Sequence, residues 1–389
     1  MEYIAQDLPK AGDTVVVGMS GGVDSTLTAL LLKERGCHVI GTTMSMWDGS
    51  IPEIRSEKTV KDACFSPGEQ EDIEECKKFC AANNIEYHVI DVAKEYKAQV
   101  VDYFKSEYRK GRTPNPCIRC NRYVKFGALL EGIKKLDIQY DYFCTGHYAK
   151  IVRPTSGILR TDKTPCMIAT ATDITKDQTY FLYRLPSEIL EKVRFPLATI
   201  TKKEVFELAH KANLKAADRA ESQDFIGAEY FDVLFSDKPS VPGDIIDLDG
   251  KVLGRHKGIE HYTIGQRKGL GVALNYPAYV QAIDAKNNVV VLAPNDALNS
   301  SGLIADEFVW PANVEPQEPI TAFVKIRLAS RPVEATIETY TPQDDEEFSG
   351  KAWKIMFKEE QRAVAPGQSV VLYQDNVIVG GGIISKVIK

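Results

Sequence analysis

A run of small and hydroxyl-bearing residues near the N-terminus has the composition of a phosphate-binding loop. It spans Gly18-Met19-Ser20-Gly21-Gly22-Val23-Asp24-Ser25, between a β-branched run and a helical pattern. Glycines let the backbone fold into a nest of N–H donors, and the N-terminus of the following helix adds the positive end of its dipole. Ser20 and Ser25 can supply hydroxyl donors, and Asp24 can orient a magnesium ion. Because the loop lacks the Gly-Lys-Ser/Thr ending of the usual nucleotide hydrolases, we predict a phosphate site of another type.

Cys117 and Cys120 are the second feature able to do chemistry. The chain has 8 cysteines in 389 residues, which is few for a disulfide scaffold. In a reducing compartment a close pair indicates metal or redox chemistry. A thiolate is also a strong nucleophile, and we expect Arg119, Arg122 and Lys125 to lower the pKa of Cys120. We interpret three other cysteines as core residues: Cys144 in an apolar strand, and Cys76 and Cys80 on one packed helix face.

Composition and charge restrict the class of protein. The net charge of −6 argues against a protein that coats nucleic acid through bulk charge. Between Lys105 and Lys135, however, nine Lys or Arg stand against two acids, which fits either a local phosphate-contacting surface or a solvated helix face. No window resembles a membrane span, and the first ten residues do not resemble a signal peptide. We therefore expect a cytoplasmic protein with neither membrane nor DNA as a partner.

Strands and helices alternate through the first half of the chain. Strands are predicted at 14–17, 37–43, 86–91 and 140–144, and helices at 24–35, 69–82, 96–108, 123–135 and 203–212. This alternation predicts an α/β fold with a doubly wound parallel sheet, whose ligands bind at the carboxyl ends of the strands. From about residue 220 short β-branched runs with Gly and Pro turns take over. We predict three domains: a catalytic domain over 1–218, a β-rich central module over 219–297 and a C-terminal β-barrel over 298–389.

The strand, loop and helix at Gly18 to Ser25 resemble those of the PP-loop ATP pyrophosphatases, which have an adenine nucleotide alpha hydrolase-like fold. That resemblance implies ATP and Mg²⁺ as cofactors, release of pyrophosphate, and transfer of AMP to a substrate oxygen. It leaves the substrate open, because several synthetases and tRNA-modifying enzymes share the loop.

Four further segments indicate the substrate. They are Gly111 to Asn121 with Lys125-Phe126-Gly127 behind it, Thr145 to Ala149, Lys176 to Leu182, and His261 to Gly271. Together with the loop, and in the same order, they closely resemble tRNA-specific 2-thiouridylases, over nearly the whole chain. The resemblance implies that ATP adenylylates the 2-oxygen of the wobble uridine, which is then replaced by sulfur. The anticodon arm of a tRNA would be the partner, with a sulfur-carrier protein or inorganic sulfide as sulfur donor.

The resemblance also implies roles at matching positions. Cys120 would be the catalytic cysteine, and Asn115, Pro116 and Cys117 would face the target base. ATP would be contacted by Gly18, Met19, Ser20, Gly21, Gly22, Val23, Asp24, Ser25, Met44 and Gly146. The tRNA would be contacted by His147, Lys176, Asp177, Gln178, Arg327, Leu328 and Gln368.

The chain departs from this family at both sulfur-handling positions. Most members carry Asp-x-x-Cys at the first site, where this chain has Cys117-x-x-Cys120. Most carry a second cysteine in a segment that here reads Glu221-Ser222-Gln223-Asp224-Phe225-Ile226-Gly227, without cysteine. Either Asp224 or Ile226 falls at the missing position, depending on which flanking residues are matched.

Two mechanisms stay open at this point. Cys117 and Cys120 can act as persulfide and resolving thiol. Alternatively they ligate a [4Fe-4S] cluster together with Asp224 or an exogenous sulfide, and an open iron would then hold hydrosulfide as the nucleophile. We give the cluster a slight preference and expect a zinc site least, because a second cysteine pair is missing.

Two other functions compete with tRNA thiolation. One is a PP-loop ligase or amidotransferase that acts on a small metabolite, but no glutaminase segment is apparent and the β-rich half would lack a role. The other is a non-enzymatic tRNA-binding module with a relic nucleotide site, which the intact loop and Cys120 argue against.

Overall fold

The computed structural model describes residues 1–49, 64–65, 68–156, 164–218, 225–226, 230–343 and 346–389. The chain divides into two compact units. The first comprises Met1–Val100, Cys117–Val233 and Asp375–Ile378, and the second comprises Val101–Pro116, Leu234–Gln374 and Val379–Lys389. Among the helices of these described residues, none has the length and apolar character that crossing a membrane requires.

A five-stranded parallel sheet is the centre of the first unit. Its strands are β2 (Thr14–Gly18), β3 (His38–Ser45), β4 (Glu86–Asp91), β5 (Tyr142–Thr145) and β8 (Val193–Arg194). They lie in the order β4-β3-β2-β5-β8. The chain therefore runs outward from β2 in one direction and then resumes at β5 on the other side, which creates a topological switch point between β2 and β5. This confirms the doubly wound parallel sheet predicted from the alternating pattern.

Apolar β-branched residues explain why β2 lies at the centre of this sheet. Val15, Val16 and Val17 are fully buried, as expected for a strand covered on both faces. Cys76, Cys80 and Cys144 belong to the same buried cluster, so their interpretation as core residues is confirmed. Regular α-helices that lie wholly in this unit are α1 (Val23–Glu34), α2 (Glu69–Ala82), α3 (Ala93–Tyr96), α6 (Leu129–Lys135), α7 (Thr179–Leu182), α8 (Ser187–Leu190) and α9 (Lys202–Lys211). Helix α10 (Phe231–Leu234) has its last residue in the second unit.

The helix that carries the cysteine pair is not a regular α-helix. It begins as α5 (Pro116–Arg119), continues as a π-helical stretch over Cys120–Ala128 and ends as α6. Phe126 has non-helical dihedrals within it, with φ −103° and ψ 16°. A second π-helical stretch, Lys97–Val101, precedes α4 (Asp102–Arg109). Sequence periodicity predicted plain helices over 96–108 and 123–135, with a connecting segment before residue 123. Stretches of π-helix concentrate at functional sites.

A small antiparallel ribbon completes the described sheet structure of the first unit. It contains β1 (Tyr3–Ala5), β6 (Ala149–Pro154) and β7 (Met167–Thr170). Val377, the first residue of the last strand, pairs with Ala169 of β7.

The second unit contains a four-stranded sheet and a barrel. The sheet has the order β10-β9-β12-β11, from β9 (Gly243–Ile246), β10 (Val252–His256), β11 (Tyr279–Asp284) and β12 (Val289–Ala293). The barrel follows the order β18-β13-β16-β15-β14-β17 and closes through pairing of β17 with β18. Its strands are β13 (Asn299–Val309), β14 (Ile320–Lys325), β15 (Val333–Tyr340), β16 (Ala352–Arg362), β17 (Ser369–Gln374) and β18 (Val377–Ile388). The predicted central module and C-terminal barrel are thereby confirmed.

Part of the basic stripe seen in the sequence is neutralised inside the second unit. Lys105 Nζ lies 2.7 Å and Arg109 Nη2 3.0 Å from Asp237, and these partners hold the pKa of Asp237 well below its usual range. Lys110 and Arg112 pair with Glu107 at 2.9 and 2.7 Å. Four of the nine Lys and Arg residues therefore form ion pairs within the fold. A continuous phosphate-contacting surface has less support than the number of cations in the sequence indicated.

Candidate functional site

The loop between β2 and α1 presents backbone N–H groups at the switch point. Gly21 adopts a φ of 76°, which residues with a side chain rarely adopt. Gly22 is the N-cap of α1 and has no side chain to bond the first N–H groups of the helix. The Ser20 N–H donates to Ser25 Oγ at 3.2 Å, and the two hydroxyl oxygens lie 3.3 Å apart. The helix N-terminus therefore offers donors and its positive dipole end to an anion.

Two neighbouring strand ends bring the other predicted nucleotide contacts to the same edge of the sheet. Met44 lies near the carboxyl end of β3, and Gly146 directly follows β5. A Cβ on Gly146 would lie 2.8 Å from the Asp24 carbonyl carbon and 2.9 Å from the Ser25 nitrogen. Only glycine allows this close approach, so the segment after β5 supports the phosphate loop directly.

The carboxylate of Asp24 is held by two groups outside the loop. Lys202 Nζ donates to its two oxygens at 2.8 and 2.9 Å, and the Tyr148 hydroxyl donates to Oδ1 at 2.8 Å. The Lys202 side chain is only 9% exposed, so its charge is compensated largely by Asp24. Lys202 and Tyr148 hold the carboxylate in place, and the orientation of a magnesium ion by Asp24 stays a prediction.

Cys117 and Cys120 lie in the first turns of a helix, where the sequence interpretation placed a connecting segment between two helices. Their spacing of three residues puts both thiols on one helix face. Cys117 is exposed and Cys120 is partly buried. The guanidinium of Arg119 bonds the Gln99 carbonyl and side chain at 3.2 and 3.1 Å and lies over the Tyr123 ring. Arg119 thus fixes the helix rather than activating a thiol.

The expected lowering of the pKa of Cys120 is wrong. Burial raises the pKa of this thiol to about 11, and it outweighs the opposing effect of Lys125. Desolvation disfavours the thiolate, and the other two expected cations point at Tyr123, with Arg122 lying 5.2 Å from the ring centroid. In this arrangement Cys120 is a neutral thiol at pH 7.

Because the Cys120 thiol is neutral at pH 7, we expect it to be alkylated slowly and at a rate that depends on pH. Below pH 10 the thiolate fraction of Cys120 should rise about tenfold per pH unit, so iodoacetamide labelling of the native protein should follow the same slope. Peptide mapping by mass spectrometry separates Cys120 from the other cysteines. The urea-unfolded chain is the control, in which labelling should level off near pH 9. A plateau below pH 8 in the native protein would contradict a raised pKa.

The helix of Cys120 and the phosphate loop meet at the segment after β5. The ring centroids of Phe126 and His147 lie 5.9 Å apart, and Phe126 also packs against Phe143 of β5 at 5.6 Å. Gly146, the neighbour of His147, contacts the loop. One tripeptide, Thr145-Gly146-His147, therefore connects the anion site with the thiol helix inside the first unit.

The predicted second-site residue Asp224 lies outside the described residues, whereas Phe225 and Ile226 are described. Within the described part of the chain, no group of three or more His, Cys, Asp or Glu side chains is arranged to hold a metal ion. Because one of its three expected ligands lies outside the described residues, the predicted cluster with Cys117, Cys120 and Asp224 stays a prediction.

The segment preceding the cysteine helix is anchored within the second unit. The Thr113 N–H donates to the Pro366 carbonyl at 2.8 Å. Gln368 Nε2 donates to the carbonyls of Thr113 and Pro114 at 2.9 and 3.3 Å. The side chain of Gln368, predicted to contact tRNA, is therefore engaged in holding the backbone just before Asn115 and Pro116.

Arg327 has a similar internal role, while its neighbour Leu328 is exposed. Arg327 Nη2 donates to the carbonyls of Ile264 and Ala363 at 2.9 and 2.7 Å. Ile264 belongs to the motif from His261 to Gly271, so this guanidinium attaches the motif to the barrel. Leu328 is 40% exposed, which suits a surface contact.

Replacing Arg327 by Met should therefore lower stability as well as any affinity for tRNA. Two carbonyls would lose a charged donor, which costs about 1–3 kcal/mol of unfolding free energy. Urea unfolding measures this, with Arg331→Met in the same exposed loop as the matched control. If Arg327→Met unfolds at the wild-type midpoint while tRNA binding weakens, the side chain serves the ligand and not the fold.

The remaining predicted tRNA contacts also make bonds inside their own unit. His147 is buried, Thr145 Oγ1 lies 2.6 Å from its Nδ1, and burial lowers its pKa well below the usual value, so the ring is neutral. Asp177 accepts from the Ala171 N–H at 3.1 Å and from Thr179 Oγ1 at 2.5 Å. Gln178 bonds the Tyr148 backbone in both directions. Lys176 is partly exposed beside them, and a tRNA contact at these positions stays a prediction.

Two residues at this site were missed by sequence reasoning. Lys202 follows Thr201, whose side chain forms a capping box with Glu204, and this signal could have located the N-terminus of α9. Glu69 accepts hydrogen bonds from the N–H groups of Met46 and Trp47 at 2.5 and 3.0 Å, and burial raises its pKa. It fixes the turn that follows Met44.

Family models match almost the whole chain in three consecutive parts. Residues 13–227 match the model described as tRNA methyl transferase HUP domain. Residues 232–294 match the tRNA methyl transferase PRC-barrel domain, and residues 300–384 the aminomethyltransferase beta-barrel domain. Among solved structures, NMN synthetase from Francisella tularensis is 14% identical, with a TM-score of 0.30 over 58% of this chain and 76% of that one, which is too low for a comparison of folds.

Full-length relatives agree with the family models. A tRNA-specific 2-thiouridylase MnmA from Endomicrobium trichonymphae is 42% identical over 95% of this chain and 98% of its own. Another from Syntrophus aciditrophicus is 41% identical over 96% of this chain and 92% of its own. A third from Roseiflexus castenholzii is 37% identical over 96% and 99%. With this identity over nearly all of each chain, and with the predicted motifs in place, the protein belongs to the family of tRNA-specific 2-thiouridylases.

Proposed function

We propose that this protein is an ATP-dependent tRNA 2-thiouridylase. The observation that carries the proposal is the meeting of the anion-binding loop and the Cys120 helix at Thr145-Gly146-His147. A group activated by ATP at the loop would lie on the same side of the sheet as a thiol. Activation by a nucleotide followed by attack of sulfur needs both in one site.

In the first step the uridine 2-oxygen attacks the α-phosphorus of ATP, and pyrophosphate leaves. The N–H groups at the N-terminus of α1 and the hydroxyls of Ser20 and Ser25 bind the pyrophosphate oxygens as charge develops on them. Lys202 adds a cation that the loop itself lacks. Magnesium would neutralise phosphate charge when ATP is bound, and Asp24, held by Lys202, is the carboxylate of the loop that would orient it.

In the second step sulfur attacks C2 of the uridine, and AMP leaves with the former 2-oxygen. Cys120 provides the reactive thiol of the described site. Its high pKa keeps it protonated before the substrate arrives, and a positively charged neighbour such as Lys125 favours the thiolate once solvent is displaced. The target uridine must be turned out of its stack to reach this site, which explains why the family appends β-rich domains able to hold the tRNA.

The sulfur source and a metal–sulfur centre are finer parts of the proposal. A sulfur-carrier protein that delivers a persulfide suits a thiol site, whereas inorganic sulfide suits a cluster held by Cys117, Cys120 and Asp224. Anaerobic purification followed by iron and sulfide analysis separates the two. Iron-free protein that thiolates tRNA from a persulfide donor would refute the cluster. We also retain a cytoplasmic location as a prediction.

Pyrophosphate release from ATP tests the proposed function against its two competitors. We expect release only when unmodified tRNA with a wobble uridine is added. The control is the same tRNA with cytidine at that position, which should give background release. Release without tRNA would indicate an enzyme of small metabolites, and no release under any condition would indicate a binding module.

A further inference from the structure

Cys64 lies beside the segment in which the family's second cysteine is missing. Its neighbour Phe65 donates a backbone hydrogen bond to the carbonyl of Phe225 at 3.1 Å. The rings of Phe65 and Phe225 are nearly parallel, 6° apart in orientation with centroids at 6.2 Å. Phe225 belongs to the stretch Glu221 to Gly227, where this chain has no thiol. The backbone at Phe65 is therefore held against Phe225, which lies in sequence between the two candidate positions of the missing cysteine, Asp224 and Ile226.

A buried phenol connects Cys64 with the cysteine pair. Phe65 stacks on Tyr96 with centroids 5.1 Å apart, and the Tyr96 ring is 2% exposed. Burial raises the pKa of Tyr96 well above its usual value, and Cys120, Cys64 and Cys117 each raise it further. Cys64 also raises the pKa of Cys120 itself. The three thiols therefore all act electrostatically on one phenol within the first unit.

The exposures of these thiols differ in a way that suits separate roles. Cys64 is exposed, whereas Cys120 is partly buried. An incoming persulfide donor can reach an exposed thiol, while a partly buried, neutral thiol is less open to side reactions.

We propose that Cys64 supplies the second thiol of the sulfur-transfer site, in place of the missing cysteine of the segment around Phe225. This rests on the proposed 2-thiouridylase function and names the residue that carries the sulfur. The aromatic cluster of Phe65, Tyr96 and Phe225 holds Cys64 in position for it.

The chemistry balances with a protein persulfide as donor and a small dithiol as reductant. The Cys64 thiolate attacks the outer sulfur of the donor persulfide, and the donor leaves as a thiolate. The terminal sulfur of the Cys64 persulfide then attacks C2 of the adenylylated uridine, and AMP leaves. The Cys120 thiolate attacks the Cys64 sulfur, which breaks the sulfur–sulfur bond to the base and forms a Cys64–Cys120 disulfide. The base keeps the reduced sulfur as 2-thiouridine, and the dithiol reduces the disulfide for the next cycle.

The test uses the full-length protein with Cys64→Ser and, as a second variant, Cys64→Ala. With a persulfide donor, 2-thiouridine formation should fall about 100-fold or more in both variants, while tRNA-dependent pyrophosphate release continues. In the wild type, one turnover without reductant should yield a Cys64–Cys120 disulfide peptide in non-reducing mass spectrometry. Because Cys64 is exposed, an unchanged thermal midpoint should accompany both substitutions.

Two results would overturn the proposal. One is thiolation by Cys64→Ser at the wild-type rate, and the other is a single-turnover disulfide that joins Cys117 to Cys120 and leaves Cys64 reduced. Failure of the 2-thiouridylase function itself looks different, because the wild type would then release no pyrophosphate in response to tRNA.

Discussion

Replacing Lys202 by Met should reduce tRNA-dependent pyrophosphate release by about 100- to 1000-fold. The substitution removes the ammonium group that donates to both oxygens of Asp24 at 2.8 and 2.9 Å. It leaves a negative carboxylate facing the phosphates of ATP, and it deletes the cation that compensates for the lysine missing from the loop. Losing one donor that stabilises transition-state charge costs an enzyme this much in other systems.

The neighbouring residue provides a matched control for this substitution. Lys203 Nζ lies 3.8 Å from Glu207 on the surface of α9, and its side chain is 87% exposed. Lys203→Met removes the same charge from the same helix turn and should retain wild-type release. Lys202→Arg keeps the charge and should restore part of the activity. If Lys202→Met stays within about threefold of wild type and folds normally, Lys202 has no part in activation.

Replacing Cys120 by Ser should separate the two half-reactions. A serine hydroxyl occupies nearly the same volume but cannot accept or release sulfane sulfur, so 2-thiouridine formation should fall by about 1000-fold or more. Pyrophosphate release should remain within a few fold of wild type, because the loop and Lys202 are untouched. The products are measured together, as pyrophosphate by a coupled assay and as nucleosides by mass spectrometry after tRNA digestion.

Cys144 of β5 provides a control for the Cys120 substitution, because it is a cysteine with a packing role. Cys144 is fully buried in the strand that supports Gly146, so its substitution would disturb packing rather than chemistry. Cys144→Ser should lower the thermal midpoint and reduce both half-reactions together. A Cys120→Ser enzyme that behaves in this way, or that still thiolates tRNA, would contradict the assigned role of Cys120.

The fold of the catalytic domain could be predicted because the residues that specify its elements are close together in the sequence. The glycines and hydroxyls of the loop, the valines of β2 and the apolar spacing of α1 are all contiguous in sequence. They identified a parallel sheet, which the structure has, and a phosphate loop at the carboxyl end of a strand, where the loop lies. The helix over Glu69–Ala82 and the strand over Glu86–Asp91 were predicted to the residue.

Long-range partners could not be predicted in the same way. Lys202 meets Asp24 across 178 positions of the chain, and Gln368 reaches Thr113 across 255. No local pattern encodes such a pair. The sequence also gave the wrong direction for the pKa of Cys120, because counting nearby cations ignores desolvation and the direction in which each side chain points.

The missing second cysteine is another feature for which the partner is distant in sequence. Sequence comparison showed that the second-site cysteine was absent and directed attention to Asp224 and to the pair Cys117 and Cys120. Cys64 was not among the predicted site residues, because it lies more than 50 positions before Cys117 and Cys120 in the sequence. Only the hydrogen bond from Phe65 to Phe225 and the packing around Tyr96 bring it into consideration.

A single reaction mixture shows whether sulfur insertion depends on activation of the uridine by ATP. Purified protein is incubated with ATP, magnesium, a persulfide donor, dithiol reductant and unmodified tRNA, and both pyrophosphate and wobble 2-thiouridine are quantified over time. We expect pyrophosphate and 2-thiouridine to form in a one-to-one ratio, and Cys120→Ser to yield pyrophosphate without 2-thiouridine. Thiolation of the tRNA without any pyrophosphate release would contradict it, because the sulfur would then have entered without activation of the uridine oxygen.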